Sequence, residues 1–470
     1  MIPFTSTRIT ALNLRALCTG FFLFSFGSLW AQNQFSKQQV LEDLEYLKTS
    51  LEEAHYNLYA YTSKREFDQN FNEVKASVEK DSLSLLEATS LFQRVISKAN
   101  NGHTEIFFPA GSYIAYAQGG GTVFPLEVAF ESGKALVRKN WSTNPKIAAG
   151  DEILSIDGRP MQDILAAIEP HISAERPYFK KAKIEFYSLP RLYWQVYGPQ
   201  DSFVVKIQTK KGIEEISLQA VEALDGFESK REDILNAKMR LKFYGPSAYL
   251  HPGGFGGDLE TYKRFVDSAF AEIRAKNSRN LIIDLRNHPG GDDAFGDYLV
   301  SYFADKPFRW NSDFALKTSA LLKADARKRM DTTKAYWQQV LSHEDGEIYN
   351  FDFGEYPPQP REKRFTEKVY VLVNRQSHSQ SAVTAAQIQD YGFGTLVGEE
   401  TGEYPSLYAS VFRYELPATG VSVQVSKGLI IRVNGSTREE GVIPDIFIRD
   451  HLLDETDEIL DGLLQQLQTD

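Results

Sequence analysis

Residues 369–373 (VYVLV) open the stretch of sequence that decides the fold, and residues 377–381 (SHSQS) follow them after a turn. A helical segment then runs to Asp390, and a second short strand ends at residues 396–399 (LVGE). A buried strand that enters a helix through a tight turn presents the side chain of the turn above the carboxyl ends of a sheet. The first amides of the helix point to the same place and stabilise negative charge there. A serine in this turn is therefore placed to act as a nucleophile, although serines at such positions also cap helices.

Length and composition set the class of protein. The chain has 470 residues, of which 42% are hydrophobic and 24% are charged, which is typical of a globular protein with two or three domains. The net charge of −11 argues against a nucleic-acid partner, because phosphate binding needs a basic surface. The sequence contains no metal-ligand motif and no glycine-rich phosphate loop after a strand, so we expect neither a metal nor another cofactor.

Residues 1–31 have the pattern of a secretory signal peptide. Arg8 and Arg15 precede an apolar run over residues 16–31, and a polar segment follows it. An uncleaved membrane anchor is the alternative, but the run is short for a membrane span. Cys18 is the only cysteine, so the cleaved chain would have no disulfide, thiol nucleophile or cysteine–metal site. We therefore expect an exported protein of a bacterial periplasm or cell exterior, without a membrane span after cleavage.

Residues 32–105 are predicted to form a helical amino-terminal domain. Apolar residues recur at helical spacing in three segments (36–51, 67–78 and 83–98), and Ser36 with Gln39 makes a capping box at the start of the first. The domain ends at residues 100–104 (NNGHT), where His103 follows a turn glycine. A lone histidine in a turn is more commonly structural than catalytic, so this segment by itself assigns His103 no role.

Residues 110–225 are predicted to form a PDZ-like β-domain. Residues 147–158 (IAAGDEILSIDG) resemble the Gly-Asp-x-Ile-x-x-Ile-Asp-Gly signature of PDZ domains, and strand patterns lie on both sides. A PDZ domain takes an extended peptide end as an added strand, and a β-domain without a ligand is the alternative. The aromatic and basic segment 173–200 is longer than such a domain needs, and the sequence assigns it no role.

Residues 226–455 are predicted to form a third domain with parallel strands and crossover helices. The strand–turn–helix pattern of the opening stretch occurs a second time, beginning with a strand at 281–285 (LIIDL). Two such units indicate this topology. A charged insertion, residues 312–364, separates the two units. Later strands at 421–425 and 429–433 are predicted to form a hairpin around residues 426–428 (SKG), and residues 456–470 a carboxyl-terminal helix or tail.

Three motifs resemble those of the tail-specific serine proteases, also called C-terminal processing peptidases, a family that includes the tricorn protease core. They are residues 284–291 (DLRNHPGG), the Ser-x-Ser-x-Ser turn at 377–381 and residues 441–445 (GVIPD), in the family's order and roughly its spacing. The amino-terminal and PDZ-like regions match too, so the resemblance covers most of the chain. It implies a multidomain α+β protein with an amino-terminal helical domain, a PDZ-like β-domain and an α/β protease core of the ClpP/crotonase type.

The resemblance also implies a nucleophile and an oxyanion hole. The middle serine of the turn, Ser379, matches the family's nucleophile. The oxyanion hole would be built from the backbone amides of Gln380 and Gly291, with Gly290 as the alternative to Gly291. Only glycine lets a backbone amide approach a substrate carbonyl so closely, although the Pro-Gly-Gly sequence is also compatible with a plain tight turn.

The general base departs from the family pattern. Classical members use a lysine that aligns here with Tyr404, and a tyrosine with a pKa near 10 stays protonated at pH 7. The tricorn-like branch takes a histidine from the segment before the PDZ domain, and Gly102-His103-Thr104 resembles that site, except that tricorn has a serine where this chain has Gly102. We therefore expect His103 to be the base, because histidine titrates near neutrality. His378, whose side chain diverges from that of Ser379, and His288 in the glycine turn are weaker candidates.

The same branch places a glutamate near the Gly-Val-x-Pro-Asp motif to orient the site. Glu439 and Glu440 are both candidates, and solvent-exposed charge is the alternative for each.

The resemblance thus implies an exported serine endopeptidase that acts on peptides or unfolded proteins, with the PDZ-like domain presenting the carboxyl end of the substrate. Because the family lysine is missing, a catalytically inactive protein that binds peptides or lipophilic ligands is an alternative, and a serine esterase is another. The sequence sets no oligomeric state.

Overall fold

The computed structural model describes residues 34–235 and 238–469. The expected signal peptide, with Cys18, lies outside the described residues. None of the helices in the described ranges is long and apolar enough to cross a membrane.

The amino-terminal part is helical, as predicted. Its elements are β1 (Gln34–Ser36), α1 (Lys37–Ala54), α2 (Lys64–Ala76), β2 (Ser82–Ser84) and α3 (Leu85–Ile96). Each helix begins at a serine whose side chain accepts a hydrogen bond from the amide of the third helical residue. The side chain of that third residue in turn accepts from the serine backbone N–H, and Ser36 with Gln39 is one of these capping boxes. A 3₁₀ turn at Ser97–Ala99 then leads into the segment that carries His103.

The middle part is a β-domain with additional helices. Its elements are α4 (Ala110–Gln118), β3 (Thr122–Val123), β4 (Leu126–Glu131), β5 (Lys134–Asn140), β6 (Glu152–Ile156), β7 (Arg159–Pro160), α5 (Met161–Ile168), α6 (Pro177–Tyr187), α7 (Leu189–Tyr197), β8 (Ser202–Thr209), β9 (Gly212–Gln219) and β10 (Val221–Glu222). The main sheet is antiparallel in the order β4-β5-β6-β8-β9, with β7 paired to β6.

The segment that had no assigned role, 173–200, forms α6 and α7 and covers β4. Ile184, Leu192 and Tyr193 share one buried cluster with the side chains of β4. Within β4, the Phe130 amide donates to Glu185 Oε1 at 2.8 Å, and the Phe130 carbonyl accepts from the Arg449 guanidinium at 3.2 Å. These two backbone groups of the edge strand β4 are therefore hydrogen-bonded to side chains from outside the sheet.

The carboxyl-terminal part is α/β. Its elements are β11 (Arg240–Tyr244), β12 (Ser247–His251), α8 (Leu259–Ala275), β13 (Asn280–Asp284), α9 (Asp293–Val300), β14 (Asp313–Lys317), α10 (Ala320–Arg329), α11 (Ala335–Ser342), β15 (Ile348–Asn350), β16 (Lys368–Val373), α12 (Gln380–Tyr391), β17 (Thr395–Gly398), β18 (Leu407–Glu415), β19 (Ser422–Ile431), β20 (Ile446–Phe447) and α13 (Glu458–Thr469).

The predicted parallel sheet is confirmed. Its order is β11-β12-β13-β16-β17-β20, and every pair except β11–β12 is parallel. Asp284, at the end of β13, pairs with Leu372 near the end of β16. The turns after β13 and β16 therefore emerge side by side at the carboxyl edge of the sheet, where ligands of open α/β sheets bind.

The insertion at 312–364 belongs to a second sheet. Its strands β14 and β15 join β18 and β19 in an antiparallel sheet of order β15-β14-β19-β18. The hydrophobic core of this sheet is continuous with that of α1, α2 and α3. The amino-terminal helices are thus packed onto the α/β part and do not form a separate core.

The predicted hairpin around residues 426–428 is wrong, because β19 runs without a break from Ser422 to Ile431. The hairpin lies one strand earlier, between β18 and β19. Gly428 serves close packing here: a Cβ at this position would lie 3.1 Å from the Ala315 carbonyl of β14. Gly428 is therefore required by the neighbouring strand and not by a turn.

Candidate active site

Ser379 lies between β16 and α12 in a strained backbone conformation. Its φ of 56° and ψ of −135° are unusual for a residue other than glycine, and such conformations are concentrated at functional sites. The Ser379 side chain makes no capping hydrogen bond to α12. The outer serines fix the turn instead, because Ser377 and Ser381 both donate to the Leu285 carbonyl at the end of β13. The middle hydroxyl is therefore left for another partner.

That partner is His103, which the sequence had placed in a distant segment. His103 Nε2 lies 2.9 Å from Ser379 Oγ, across 276 residues of sequence. Strand β19 holds the histidine segment, since Gln424 donates to the His103 carbonyl and Thr104 Oγ1 contacts Ser426 Oγ at 3.1 Å. The expected proximity of the two side chains is confirmed.

Glu403 is the glutamate that lies beside His103, where we expected Glu439 or Glu440. Its Oε1 lies 2.8 Å from His103 Nδ1, and its Oε2 accepts from the Ser379 amide at 2.5 Å. The Glu403 side chain is 1% exposed. The expectation for the other two glutamates is wrong: Glu439 is exposed to solvent, and Glu440 forms a surface ion pair with Arg438. Sequence reasoning missed Glu403, although it directly precedes the Tyr404 position.

The electrostatics of the site favour a basic imidazole. Burial alone would lower the pKa of His103, but Glu403, with a smaller contribution from Glu175, outweighs burial and raises this pKa above its usual value. For Glu403 the opposing effects are burial and the neighbouring His103, and the net result is a lowered pKa. The pair is thus arranged as a carboxylate beside an imidazole that accepts protons readily.

The two other histidines near Ser379 are held neutral. Burial is the main cause of a pKa of about 3 for His288 and of about 4 for His378. His288 Nδ1 accepts from the Gly290 amide at 3.0 Å, and His378 Nδ1 lies 3.0 Å from the Gln376 carbonyl. Both rings therefore have structural partners, in agreement with their low ranking in the sequence analysis.

The glycine turn approaches Ser379 so closely that it tolerates no side chain. A Cβ on Gly290 would lie 2.6 Å from both Ser379 Cβ and the Gln380 nitrogen, and one on Gly291 would lie 1.7 Å from the Phe255 carbonyl oxygen. The Gly290 amide is already bonded to His288. Within residues 34–235 and 238–469, the amides of Gly291 and Gln380 donate no hydrogen bond. These two N–H groups are free to bind an oxyanion.

Tyr404 cannot replace the family lysine. Burial raises its pKa further above 10, and the Arg176 guanidinium lies 5.1 Å from the centre of its ring. The nearby Lys183 donates to the Gly102 carbonyl and to Glu105, so it is engaged away from Ser379. No cluster of histidine, cysteine and carboxylate side chains in the described part of the chain has the make-up of a metal site.

Residues 247–448 match the family model of peptidase family S41. The chain carries an S41 peptidase domain, and it is a serine-type peptidase. The S41 domain begins at β12 and ends just after β20, so it contains Ser379, Gly291 and Glu403. His103 lies outside it, in the amino-terminal part.

Two solved structures of mature CPAF share the fold along nearly the whole chain. The structure of mature CPAF complexed with lactacystin is 17% identical, covers 92% of this chain and 97% of its own, and superposes with a TM-score of 0.65. A second structure of mature CPAF is 15% identical, covers 92% and 96%, and has a TM-score of 0.64. The similarity extends beyond the S41 domain, so the amino-terminal helices and the β-domain are part of a shared architecture.

Proposed function

We propose that this S41 peptidase is an endopeptidase in which Ser379 is the nucleophile and His103 the general base. The observation that carries the proposal is the 2.9 Å contact between Ser379 Oγ and His103 Nε2. This distance is within the range needed for direct proton transfer.

The chemistry follows from the positions of the side chains. Ser379 Oγ forms a bond to the peptide carbonyl carbon while its proton moves to His103 Nε2. Glu403, beside Nδ1, stabilises the resulting imidazolium. The tetrahedral intermediate collapses when His103 gives this proton to the leaving amine, which leaves an acyl group on Ser379. Water then attacks the acyl carbon while His103 takes its proton, and His103 returns that proton to Ser379 Oγ as the acid product leaves.

The amides of Gln380 and Gly291 are the proposed oxyanion hole. Neither amide donates a hydrogen bond to another of the described residues, whereas the Gly290 amide does, which supports Gly291 over Gly290. A single donor of this kind contributes about 3 kcal/mol to transition-state stabilisation. The strained backbone at Ser379 is held by the hydrogen bond from its own amide to Glu403, so one carboxylate fixes both the nucleophile and the base.

Hydrolysis of internally quenched peptides tests the proposal. We expect wild type to cleave within such peptides and Ser379→Ala to be inactive with an unchanged melting temperature. Cleavage by Ser379→Ala, or no cleavage by well-folded wild type, would contradict the proposal, and the latter result would favour a binding protein. Activity on p-nitrophenyl esters alone would indicate an esterase.

Export is the second part of the proposal. The charged and apolar pattern of residues 1–31 supports cleavage near Gln32 and a periplasmic or extracellular protein. Mass spectrometry of the protein from an exporting host should find an amino terminus near this residue. A full-length chain retained in the cytoplasm would contradict export and leave the peptidase proposal unaffected.

Strand addition at β4 is not part of the proposal. Peptide capture by a PDZ domain requires free backbone groups on an edge strand. At Phe130 these groups are bonded to Glu185 and Arg449, so a peptide would first have to displace both side chains.

A further inference from the structure

A second carboxyl group lies beside His103, and it belongs to segment 173–200, whose role the sequence does not indicate. Glu175 lies two residues before Pro177, the first residue of α6. Its Oε1 accepts from the Gly102 amide at 2.6 Å and lies 3.4 Å from Asn101 Nδ2. The carboxyl therefore binds the backbone of Gly102 and the side chain of Asn101, the two residues that precede the proposed base.

The same segment binds the other side of the Gly102 residue. Lys183, within α6, donates to the Gly102 carbonyl at 3.1 Å and pairs with Glu105 at 3.2 Å. Gly102 thus has its N–H held by Glu175 and its C=O held by Lys183. The peptide groups on both sides of Gly102 are fixed, and with them the direction in which the His103 side chain leaves the backbone.

Gly102 is the residue that makes room for this arrangement. A Cβ at Gly102 would lie 3.0 Å from Glu175 Oε2, 3.0 Å from Glu403 Oε1 and 3.1 Å from the Phe179 ring. The two carboxyl oxygens therefore converge on the space where any other residue would carry a side chain. Both are shielded from solvent; Glu403 Oε1 pairs with His103 Nδ1, and Glu175 Oε2 has no hydrogen-bond partner among the described residues.

We propose that Glu175 is a positioning residue: its carboxyl holds the Gly102 peptide and thereby keeps the His103 ring within reach of Ser379. This inference rests on the proposed function, because it assigns Glu175 a role only through His103.

The charge of Glu175 adds a second effect. Burial, followed by repulsion from Glu403, raises the pKa of Glu175 to about 7. The groups that face His103 are Glu403, Glu175, Lys183 and the neutral His378, and the phenols of Tyr61 and Tyr404 face Glu175. When Glu175 ionises, its negative charge favours the protonated imidazole, so it increases the proton affinity of His103.

Two substitutions separate these effects. Glu175→Gln keeps an oxygen that can accept from the Gly102 amide and removes the charge, whereas Glu175→Ala removes both. Glu215→Gln is the matched control, because Glu215 is an exposed residue of β9 without a partner in the site. The readouts are kcat and KM on a quenched peptide, the pH dependence of kcat/KM, and the melting temperature.

We expect Glu175→Ala to lower kcat about tenfold or more with little change in KM, since a small displacement of a catalytic group is costly. Glu175→Gln should keep most of the activity at the optimum and move the acid limb of the pH profile to lower pH. Wild-type kcat and pH profile in both variants would overturn the inference and leave the proposed function standing. If both variants lose activity equally and the loss follows a lowered melting temperature, the role of Glu175 is purely structural, and the inference is also overturned. Inactive wild type would end both proposals.

Discussion

At the residue scale, His103 owes its basicity to the carboxylate beside Nδ1. Glu403 outweighs the effect of burial and holds the pKa of His103 above 6.5, so the neutral base is lost as pH falls through this raised value. We therefore expect kcat/KM to fall on the acid side with a midpoint above 6.5. Glu403→Gln should shift this midpoint to lower pH and reduce kcat by roughly 10³-fold or more, by analogy with loss of the triad carboxylate. Glu439→Gln and Glu440→Gln are the controls, and a large effect of either would contradict the assignment of Glu403.

Gly102 gives a second prediction at this scale. Gly102→Ser places a side chain within about 3 Å of two carboxyl oxygens and the Phe179 ring, so the His103 segment has to move. We expect kcat to fall about tenfold or more, because displacement of a catalytic group by about 1 Å costs this much. Gly111→Ser, where a Cβ meets nothing within 4 Å, should behave as wild type. Unchanged kinetics in Gly102→Ser would show that the tight space at this position is unimportant.

The sequence singled out candidate site residues where a motif or a resemblance marked them. Ser379, Gly291 and Gln380 lie in motif turns, and His103 follows a turn glycine at a position that the family resemblance indicated. Glu403 has no such marker: it lies in the loop after β17 and reaches His103 only through the folded arrangement of three segments. The choice of Glu439 or Glu440 depended on motif spacing, which does not report which side chain points inward.

At the scale of elements, Glu185 on α6 joins the β-domain to the turn that carries Ser379. Its side chain is fully buried and accepts from the Phe130 amide, the Arg375 guanidinium and the Gln376 side-chain amide. Glu185→Ala would leave three buried donors without an acceptor. We expect the free energy of unfolding to fall by roughly 3–5 kcal/mol, measured by urea denaturation, with Glu215→Ala as the exposed control. A loss below about 1 kcal/mol would show that this network is dispensable.

Periodicity and turn signals identified most elements but not their partners. The strand–turn–helix units around β13 and β16 were predicted together with their parallel pairing, because apolar runs and turn residues are local signals. The four-stranded antiparallel sheet was missed, since β14 and β15 are short strands in a charged insertion. The Gly428 error has the same origin: what a glycine approaches is decided by a strand more than one hundred residues away in sequence.

At the scale of the whole molecule, the proposed site is assembled from two parts of the chain. The S41 domain supplies Ser379 and Glu403, and the amino-terminal part supplies His103. The amino-terminal helices share a core with β14, β18 and β19, and β19 also holds the His103 segment. Damage to that shared core should therefore affect stability and the site together.

Leu44→Ala tests this coupling. Leu44 of α1 is fully buried in the shared core, and its truncation should lower the free energy of unfolding by about 3 kcal/mol. Urea unfolding followed by tryptophan fluorescence and by residual peptidase activity should give coincident transitions, both shifted to lower urea. Loss of activity well before the fluorescence change would contradict a single cooperative core.

The central claim is that His103 takes the proton of Ser379. The most direct measurement is the second-order rate at which a fluorophosphonate labels Ser379, located by peptide mass spectrometry, in wild type and in His103→Gln at matched melting temperature. We expect rapid labelling of wild type at Ser379 and a loss of at least about 10³-fold in His103→Gln. Labelling of His103→Gln at the wild-type rate would contradict it.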